Sequence, residues 1–305
     1  MKVLTSPSSF GQISPEPILL LEKAGYRVIN NPYKRKLTED EVIELAKDCV
    51  GIVAGVEPLT ARVMDALPGL KVISRVGIGM DNVDLDYAKQ KGIIVENTPD
   101  GPTRAVAELT LAMTLSLLRR IPQADAALKN KQWIKQTGNL ILDKKIGVIG
   151  LGRIGRLVAK LFRGIGNPVI GFDPYSDAEW AADTGVELSD FETVLKTSDI
   201  ITVHVPGNAD KSPVIGAAQL ALVKPTAMLV NISRGGIVDE DALYKALTSG
   251  KLAAAAIDVF VQEPYTGPFT ELDNVVLTPH IGSYAEEGKL LMEIAAVNNF
   301  IKSVP

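Results

Sequence analysis

Cysteine is nearly missing from this 305-residue sequence. Cys49 is the only one, which excludes an internal disulfide and any multi-cysteine zinc site. Two histidines, His204 and His280, are too few for a His-rich metal centre, so no metal is expected. Aromatics are sparse: seven Phe, seven Tyr and two Trp offer little for stacking on nucleic-acid bases. There is no surplus of positive charge either. Thirty-two basic against 36 acidic residues give a net charge of −4, which argues against nucleic acid as the main partner. No apolar run approaches the ~20 residues a membrane-spanning helix needs. Pro7 follows Met1-Lys2-Val3-Leu4-Thr5-Ser6 and leaves no signal-peptide core. Low-complexity tracts, charge blocks and short repeats are lacking. These absences describe a globular cytoplasmic protein with no membrane and no nucleic-acid partner, of two domains by its length.

What is there is alternation. Lys2–Thr5 reads as a strand, and Pro17–Ala24 as a helix closed by Gly25. Arg27–Ile29 is a second strand. Thr38 has the form of an N-cap before Glu39-Asp40-Glu41, and its helix is expected to run to about Cys49, which would be inert packing at its end. Strand Gly51–Ala54, helix Val63–Leu67 and strands Lys71–Ser74 and Ile93–Val95 follow. A long helical stretch then spans about Thr103 to Lys129, with a break at Arg119-Arg120 and Pro122. A second series of strands begins at Lys145–Ile149 and continues through Val169–Phe172, Ile200–Val203, Met228–Val230, Ala255–Asp258 and Val275–Leu277. About Glu286 to Lys302 reads as a terminal helix that returns to the first domain. Strands alternating with helices specify parallel sheets covered on both faces, an α/β protein with two doubly wound domains.

Gly150-Leu151-Gly152-Arg153-Ile154-Gly155 lies between strand Lys145–Ile149 and a helix expected from Arg156 to Phe162. In that context Gly150 permits a tight turn, Gly152 admits a pyrophosphate close to the backbone, and Gly155 allows helix and strand to pack closely. The helix N-terminus favours phosphate. Asp173 ends the next strand, where a carboxylate can accept both ribose hydroxyls and repel a 2′-phosphate, so NAD is expected rather than NADP. A strand-end Asp before Pro174 with no ligand is the plainer alternative.

Three later strand ends carry reactive groups. Arg234 lies in Asn231-Ile232-Ser233-Arg234-Gly235-Gly236, Glu263 in the segment Asp258–Pro264, and His280 in Thr278-Pro279-His280-Ile281-Gly282. Ligands of open parallel sheets bind outside such ends. Arg234 can grip a carboxylate through two N–H bonds. His280 can exchange a proton with a hydroxyl or carbonyl, and an adjacent Glu263 would orient the ring and favour its protonated form. Taken singly, each has a plainer reading: a helix-cap or surface arginine, a solvated loop acid, a turn histidine satisfied by backbone. His204, also at a strand end, is read as lining the cofactor rather than as the acid–base.

These segments, with Arg75-Val76-Gly77-Ile78-Gly79-Met80-Asp81-Asn82-Val83-Asp84, Asn97-Thr98-Pro99 and Ala105-Val106-Ala107-Glu108, resemble the D-isomer-specific 2-hydroxyacid dehydrogenases from end to end. The similarity is greatest to short, D-3-phosphoglycerate-dehydrogenase-like members. The resemblance implies a flavodoxin-like substrate domain (1–98 plus 283–305) into which a Rossmann-type NAD domain (99–282) is inserted, with a cleft between them. It implies Arg234 as carboxylate binder, His280 as acid–base paired to Glu263, and the backbone of Val76-Gly77-Ile78 on the substrate carboxylate. Thr103, Arg153, Ile154, Pro206, Ile232 and Gly282 would line the cofactor beside His204, and Asp258 would meet the nicotinamide carboxamide. Dimerisation through the long helix of the NAD domain is the family habit. The implied activity is reversible hydride transfer between a D-2-hydroxy acid and its 2-oxo acid. D-3-phosphoglycerate or a similar anionic acid comes first and hydroxypyruvate or glyoxylate second. An NAD(H)-sensing, corepressor-like binding protein is the reading from another class. Arg75 is placed opposite a second anionic group such as phosphate, with a surface or domain-bridging salt bridge as its alternative. The segment Pro206-Gly207-Asn208-Ala209-Asp210-Lys211-Ser212 departs from the family's Leu-Thr-rich stretch. The length leaves no room for appended regulatory domains, so serine feedback through one is not expected.

Overall fold

The computed structural model describes residues 1–207 and 212–304, so the departure expected at Asn208-Ala209-Asp210-Lys211 lies outside the described residues. The chain divides into two compact units, Met1–Ala105 with Ser283–Pro305, and Val106–Gly282.

The first unit runs β1 (Lys2–Thr5), α1 (Glu16–Lys23), β2 (Arg27–Asn30), α2 (Glu39–Ala46), β3 (Cys49–Ala54), α3 (Ala61–Ala66), β4 (Val72–Arg75), α4 (Leu85–Gln90) and β5 (Ile94–Glu96). Its five strands are all parallel, in the order β2-β1-β3-β4-β5, the flavodoxin-like order. Gly25 closes the turn after α1 at φ +86°, a conformation that favours glycine. The Thr38 hydroxyl accepts from Glu41 N–H while the Glu41 carboxylate accepts from Thr38 N–H, a complete capping box. That helix ends at Ala46, and Cys49 opens β3 instead of closing the helix as expected. The β-branched run Val50-Gly51-Ile52-Val53 that follows favours strand over helix. The C-terminal helix, Glu286–Ser303, belongs to this unit. Its Ala296, Val297 and Phe300 pack with Val3, Val53 and Val72 on one sheet face. Phe300 fits because Gly51 has no side chain: a Cβ there would lie 2.5 Å from the Phe300 ring.

Between the two series lie α5 (Gly101–Arg119) and α6 (Ile121–Lys129), separated by Arg120 at φ 50°, where the sequence places the break. The boundary of the compact units falls within α5, a little beyond the 98/99 junction read from the sequence.

The second unit continues with β6 (Ile146–Ile149), α7 (Arg153–Gly164), β7 (Val169–Phe172), α8 (Ala178–Thr184), β8 (Glu187–Leu188), α9 (Phe191–Thr197), β9 (Ile200–Val203), α10 (Ala217–Leu220), β10 (Met228–Asn231), α11 (Glu240–Thr248), β11 (Ala254–Ile257) and β12 (Val275–Leu277). The C-terminal helix above is α12 in chain order. The sheet order is β12-β11-β10-β9-β6-β7-β8 with every pairing parallel. Read from its far edge it is the Rossmann order 3-2-1-4-5-6 with one strand added. β6, β9, β10 and β11 are almost wholly buried, as central parallel strands must be.

Candidate active site

The three glycines after β6 answer three different constraints. Gly150 sits at φ +92°, and a Cβ there would stand 2.6 Å from the His204 carbonyl oxygen. Gly155 faces the same loop, where a Cβ would lie 1.8 Å from the Gly150 carbonyl oxygen. At Gly152, the N-cap of α7, nothing lies within 4 Å of the Cβ position. That space lets a ligand reach the backbone at the positive end of a 12-residue helix. The helix begins at Arg153, inside the motif, rather than at the expected Arg156, so Arg153 and Ile154 form its first turn. Asp173 follows β7 and braces this loop. Its Oδ2 accepts Leu151 N–H at 2.7 Å and its Oδ1 accepts Tyr175 N–H at 2.8 Å. Each oxygen keeps a lone pair for a ribose hydroxyl. His204 N–H donates to Ile149 O at 2.8 Å. Its Nε2 is buried and makes no hydrogen bond, and burial pushes the ring down to about 3. The ring is neutral near pH 7, which suits a lining residue and not a proton donor. Pro206 is exposed, and Ile232 is buried behind β10. The donor set fits a dinucleotide: an open helix N-terminus, a clear approach at Gly152 and a carboxylate at the next strand end. Among the described residues, no three His, Cys, Asp or Glu side chains are grouped to hold a metal ion.

Three adjacent strands, β10, β11 and β12, end in loops that are tied to one another. At the end of β10, Asn231 Oδ1 accepts from Ser233 N–H and Oγ, and Asn231 Nδ2 donates to Arg234 O at 3.3 Å. These bonds turn the chain at Arg234. Gly235 then rests on the next loop, where a Cβ would be 2.1 Å from Phe260 O. Glu240, at the start of α11, accepts Val261 N–H at 2.6 Å. The loop after β11 brings Glu263 back on itself: Oε1 accepts Phe260 N–H at 3.1 Å, and Oε2 lies 2.8 Å from His280 Nδ1.

Asp258 holds the third loop. Its Oδ1 accepts Thr278 Oγ1–H at 2.5 Å and Ile281 N–H at 2.8 Å, and its Oδ2 accepts Gly282 N–H at 2.9 Å. His280 N–H donates to Asp258 O at 2.9 Å. These bonds fix His280 at φ 54°. Burial pushes the Asp258 carboxyl above the usual carboxylate range, against the three hydrogen bonds that favour its charge. The Cβ position of Gly282 is 3.2 Å from both Asp258 Oδ2 and Ile232 Cγ2, so a side chain there would close the space beside the carboxylate. Asn231, Glu240 and Thr278 were not assigned roles from sequence. Their signal was membership of the same motifs, but nothing in a sequence says which backbone N–H a carboxylate will meet.

The first unit presents Arg75 at the end of β4, 9% exposed. Val76 N–H donates to Ala54 O at 2.8 Å, and Gly77 N–H donates to Thr98 Oγ1 at 2.7 Å. Both are engaged inside the unit. Asn97 Nδ2 donates to Ile78 O at 2.9 Å. Thr103 Oγ1 donates to Pro99 O at 3.1 Å in the first turn of α5.

Comparison with known proteins agrees with this geometry. Residues 111–282 match the family model described as D-isomer specific 2-hydroxyacid dehydrogenase, NAD binding domain. A D-3-phosphoglycerate dehydrogenase of Methanocaldococcus jannaschii is 45% identical over 258 residues, 83% of this chain and 49% of that protein. The chain spans about half the length of the curated relatives it matches. A glyoxylate reductase from Paecilomyes thermophila superposes with a TM-score of 0.87 at 26% identity, over 100% of this chain and 95% of that one. The NAD-complexed D-isomer specific 2-hydroxyacid dehydrogenase of Lactobacillus delbrueckii ssp. bulgaricus gives 0.77 at 27% identity, over 98% and 96%.

Proposed function

Because this chain belongs to the D-isomer specific 2-hydroxyacid dehydrogenase family, we propose that it interconverts a D-2-hydroxy acid and its 2-oxo acid with NAD. The observation that carries the reading is the His280–Glu263 pair, 2.8 Å apart, on a loop stitched to that of Arg234 at the strand ends of a dinucleotide fold.

Gly150, Gly152 and Gly155, the first turn of α7 with Arg153 and Ile154, and Asp173 would hold the dinucleotide, with His204, Pro206, Ile232, Asp258 and Gly282 of the same unit lining it. When bound, NADH supplies hydride to C2 of the oxo acid. Glu263 holds Nδ1 of His280, which leaves Nε2 to carry the exchanged proton. In reduction, protonated His280 gives that proton to the developing alkoxide. In oxidation, the neutral ring takes it from the hydroxyl. Arg234 grips the carboxylate and offsets charge at the reacting carbonyl. In the first unit the backbone of Val76-Gly77-Ile78 is the segment proposed for substrate, in a loop tied down by Val76 N–H to Ala54 O and Gly77 N–H to Thr98 Oγ1. The acid is of the glycerate type, phosphorylated as in D-3-phosphoglycerate, the name of the curated relatives, or bare as in glycerate and hydroxypyruvate.

The working form is a cytoplasmic homodimer. An exposed apolar run supports the dimer: Leu128, Trp133, Ile134, Leu140 and Leu142. Cys49 is buried with its thiol pushed up to about 11, inert in a reducing compartment. Among the described residues no helix is long and apolar enough to cross a membrane.

The test is NADH oxidation against a panel of 2-oxo acids. Turnover with at least one member is expected. NADH binding with no turnover on any acid would be the mark of a sensor and would end the enzymatic reading.

A further inference from the structure

We propose that Thr98 and Asn97 are positioning residues: Thr98 holds both backbone polar groups of Gly77, Asn97 holds the Ile78 carbonyl, and together they aim the Ile78 N–H at the substrate's carboxylate. This inference rests on the 2-oxo acid reaction proposed above and deepens it by naming what sets the substrate loop.

β4 and β5 are parallel neighbours, and their pairing ends at Ser74 opposite Glu96. Beyond it the β4 chain enters the loop assigned to substrate, and the β5 chain runs on through Asn97 and Thr98. The two remain joined there, now partly through side chains. Thr98 N–H donates to Gly77 O at 3.0 Å, and Gly77 N–H donates to Thr98 Oγ1 at 2.7 Å. The Thr98 hydroxyl donates to Arg75 O at 3.4 Å, which leaves its lone pairs for Gly77. Asn97 Nδ2 donates to Ile78 O at 2.9 Å, and Asn97 O accepts Asn299 Nδ2 of α12 at 3.0 Å. Thr98 is 2% exposed, a setting in which water competes little for these bonds.

Gly77 needs this outside support. It holds φ +135°, a backbone that residues with a side chain rarely adopt, and its Cβ position lies 2.8 Å from Arg75 Nη1. Glycine has no side chain to pin it and the most backbone freedom to lose. Its two handles are its N–H and its C=O, and Thr98 takes both. Peptide planarity then carries the orientation outward: in a trans peptide the C=O and the following N–H point opposite ways. With Gly77 O turned to Thr98, the Ile78 N–H faces the other side. With Gly77 N–H turned to Thr98, Val76 O faces that other side too, and there it accepts from Arg75 Nη1. A backbone donor and a guanidinium are thus directed to one side of the loop, a pairing suited to a carboxylate. Thr98 stays buried on the opposite side and acts through Gly77, without touching the substrate.

The experiment uses NADH with the best 2-oxo acid of the panel and reads kcat and KM separately. The Ki of oxamate, a non-reacting analogue with the same carboxylate, is the third readout. Thr98→Val keeps the shape and leaves the Gly77 N–H without its acceptor, so KM and the oxamate Ki should rise together by about tenfold or more. Both kcat and NADH affinity should stay within about threefold of wild type, the pattern of lost binding common to ground and transition states. Thr98→Ser keeps the hydroxyl and should hold KM and Ki within about threefold of wild type. Asn97→Ala, at a half-buried position, removes the partner of Ile78 O and should raise both constants by about threefold. A purely structural role would lower the melting temperature of Thr98→Val and leave KM and the oxamate Ki unmoved, which would overturn the proposal. Equal impairment of Thr98→Ser and Thr98→Val would overturn it too. Unmoved constants in Asn97→Ala would do so even where Thr98→Val fails to fold. Wild-type turnover with unmoved constants in the variants removes this inference alone. No wild-type turnover on any acid of the panel removes the underlying reaction and the inference with it.

Discussion

His280 adopts a left-handed backbone, φ 54°, which is uncommon outside glycine and Asn. Such a residue persists where its surroundings over-determine it, and here Asp258 does so through Ile281, Gly282 and Thr278. The types Arg, Glu and His at successive strand ends were legible in the sequence, and the structure joins two of them directly. Asp258 and Asp173 were legible only as ligand groups. Their bonds to backbone N–H groups of their own loops depend on how the chain returns in space. Glu57 was not legible at all: between Val56 and Pro58 it reads as a solvated loop acid, and only the closeness of Ser6 and Gly55 shows it to be buried. His204 gives a prediction at this scale. Burial lowers its pKa from 6.5 to about 3. The unfolded chain therefore holds a proton that the folded chain refuses between those values. Stability from this residue is fully present above pH 6.5 and is lost as pH falls toward 3, with a slope of at most about 1.4 kcal/mol per pH unit. Denaturant midpoints at pH 7 and pH 4 should fall less in His204→Leu than in the wild type. The raised carboxyls of Glu57, Asp258 and Glu293 are common to both proteins and cancel in the comparison. An equal fall in both would contradict the assignment.

Among the elements, the strands of both sheets were readable, apart from the two-residue edge strand β8, because buried parallel strands are short apolar runs between turn residues. Of the six-residue helices, α3 was read as Val63–Leu67 and α4 was not read. α4, Leu85–Gln90, buries only Ala88, too little to mark a periodic face. α2 stops three residues early because Cys49 is needed opposite Lys2 in the β1–β3 register. The break at Arg120 was readable from the paired arginines and Pro122, and it starts α6 on a new axis. The segment after it carries the prediction for this scale. Trp133 is 82% exposed and Leu140 69%, in a run with Leu128, Ile134 and Leu142 that a lone subunit would leave wet. Light scattering should give a mass of about twice the 32.6 kDa of one chain. Trp133→Glu with Ile134→Glu should shift it toward one chain, since buried aromatic anchors carry much of an interface. A wild-type mass of one chain would contradict the dimer.

For the whole molecule, alternation pointed to parallel, doubly wound sheets, whereas the flavodoxin-like and Rossmann-type arrangement was implied only by the family resemblance. Strand order further places the glycine loop at the centre of the second sheet and the Arg234, Glu263 and His280 loops on the three strands from β10 outward. One unit thus carries both the glycine loop and the His280–Glu263 pair proposed as acid–base. That combination has a direct test in the turnover of His280→Ala with NADH and the best 2-oxo acid of the panel. The account predicts a fall in kcat of roughly 10²- to 10⁴-fold, with NADH affinity within about twofold of wild type because His280 is not assigned to the dinucleotide. Turnover within a few fold of wild type would contradict it.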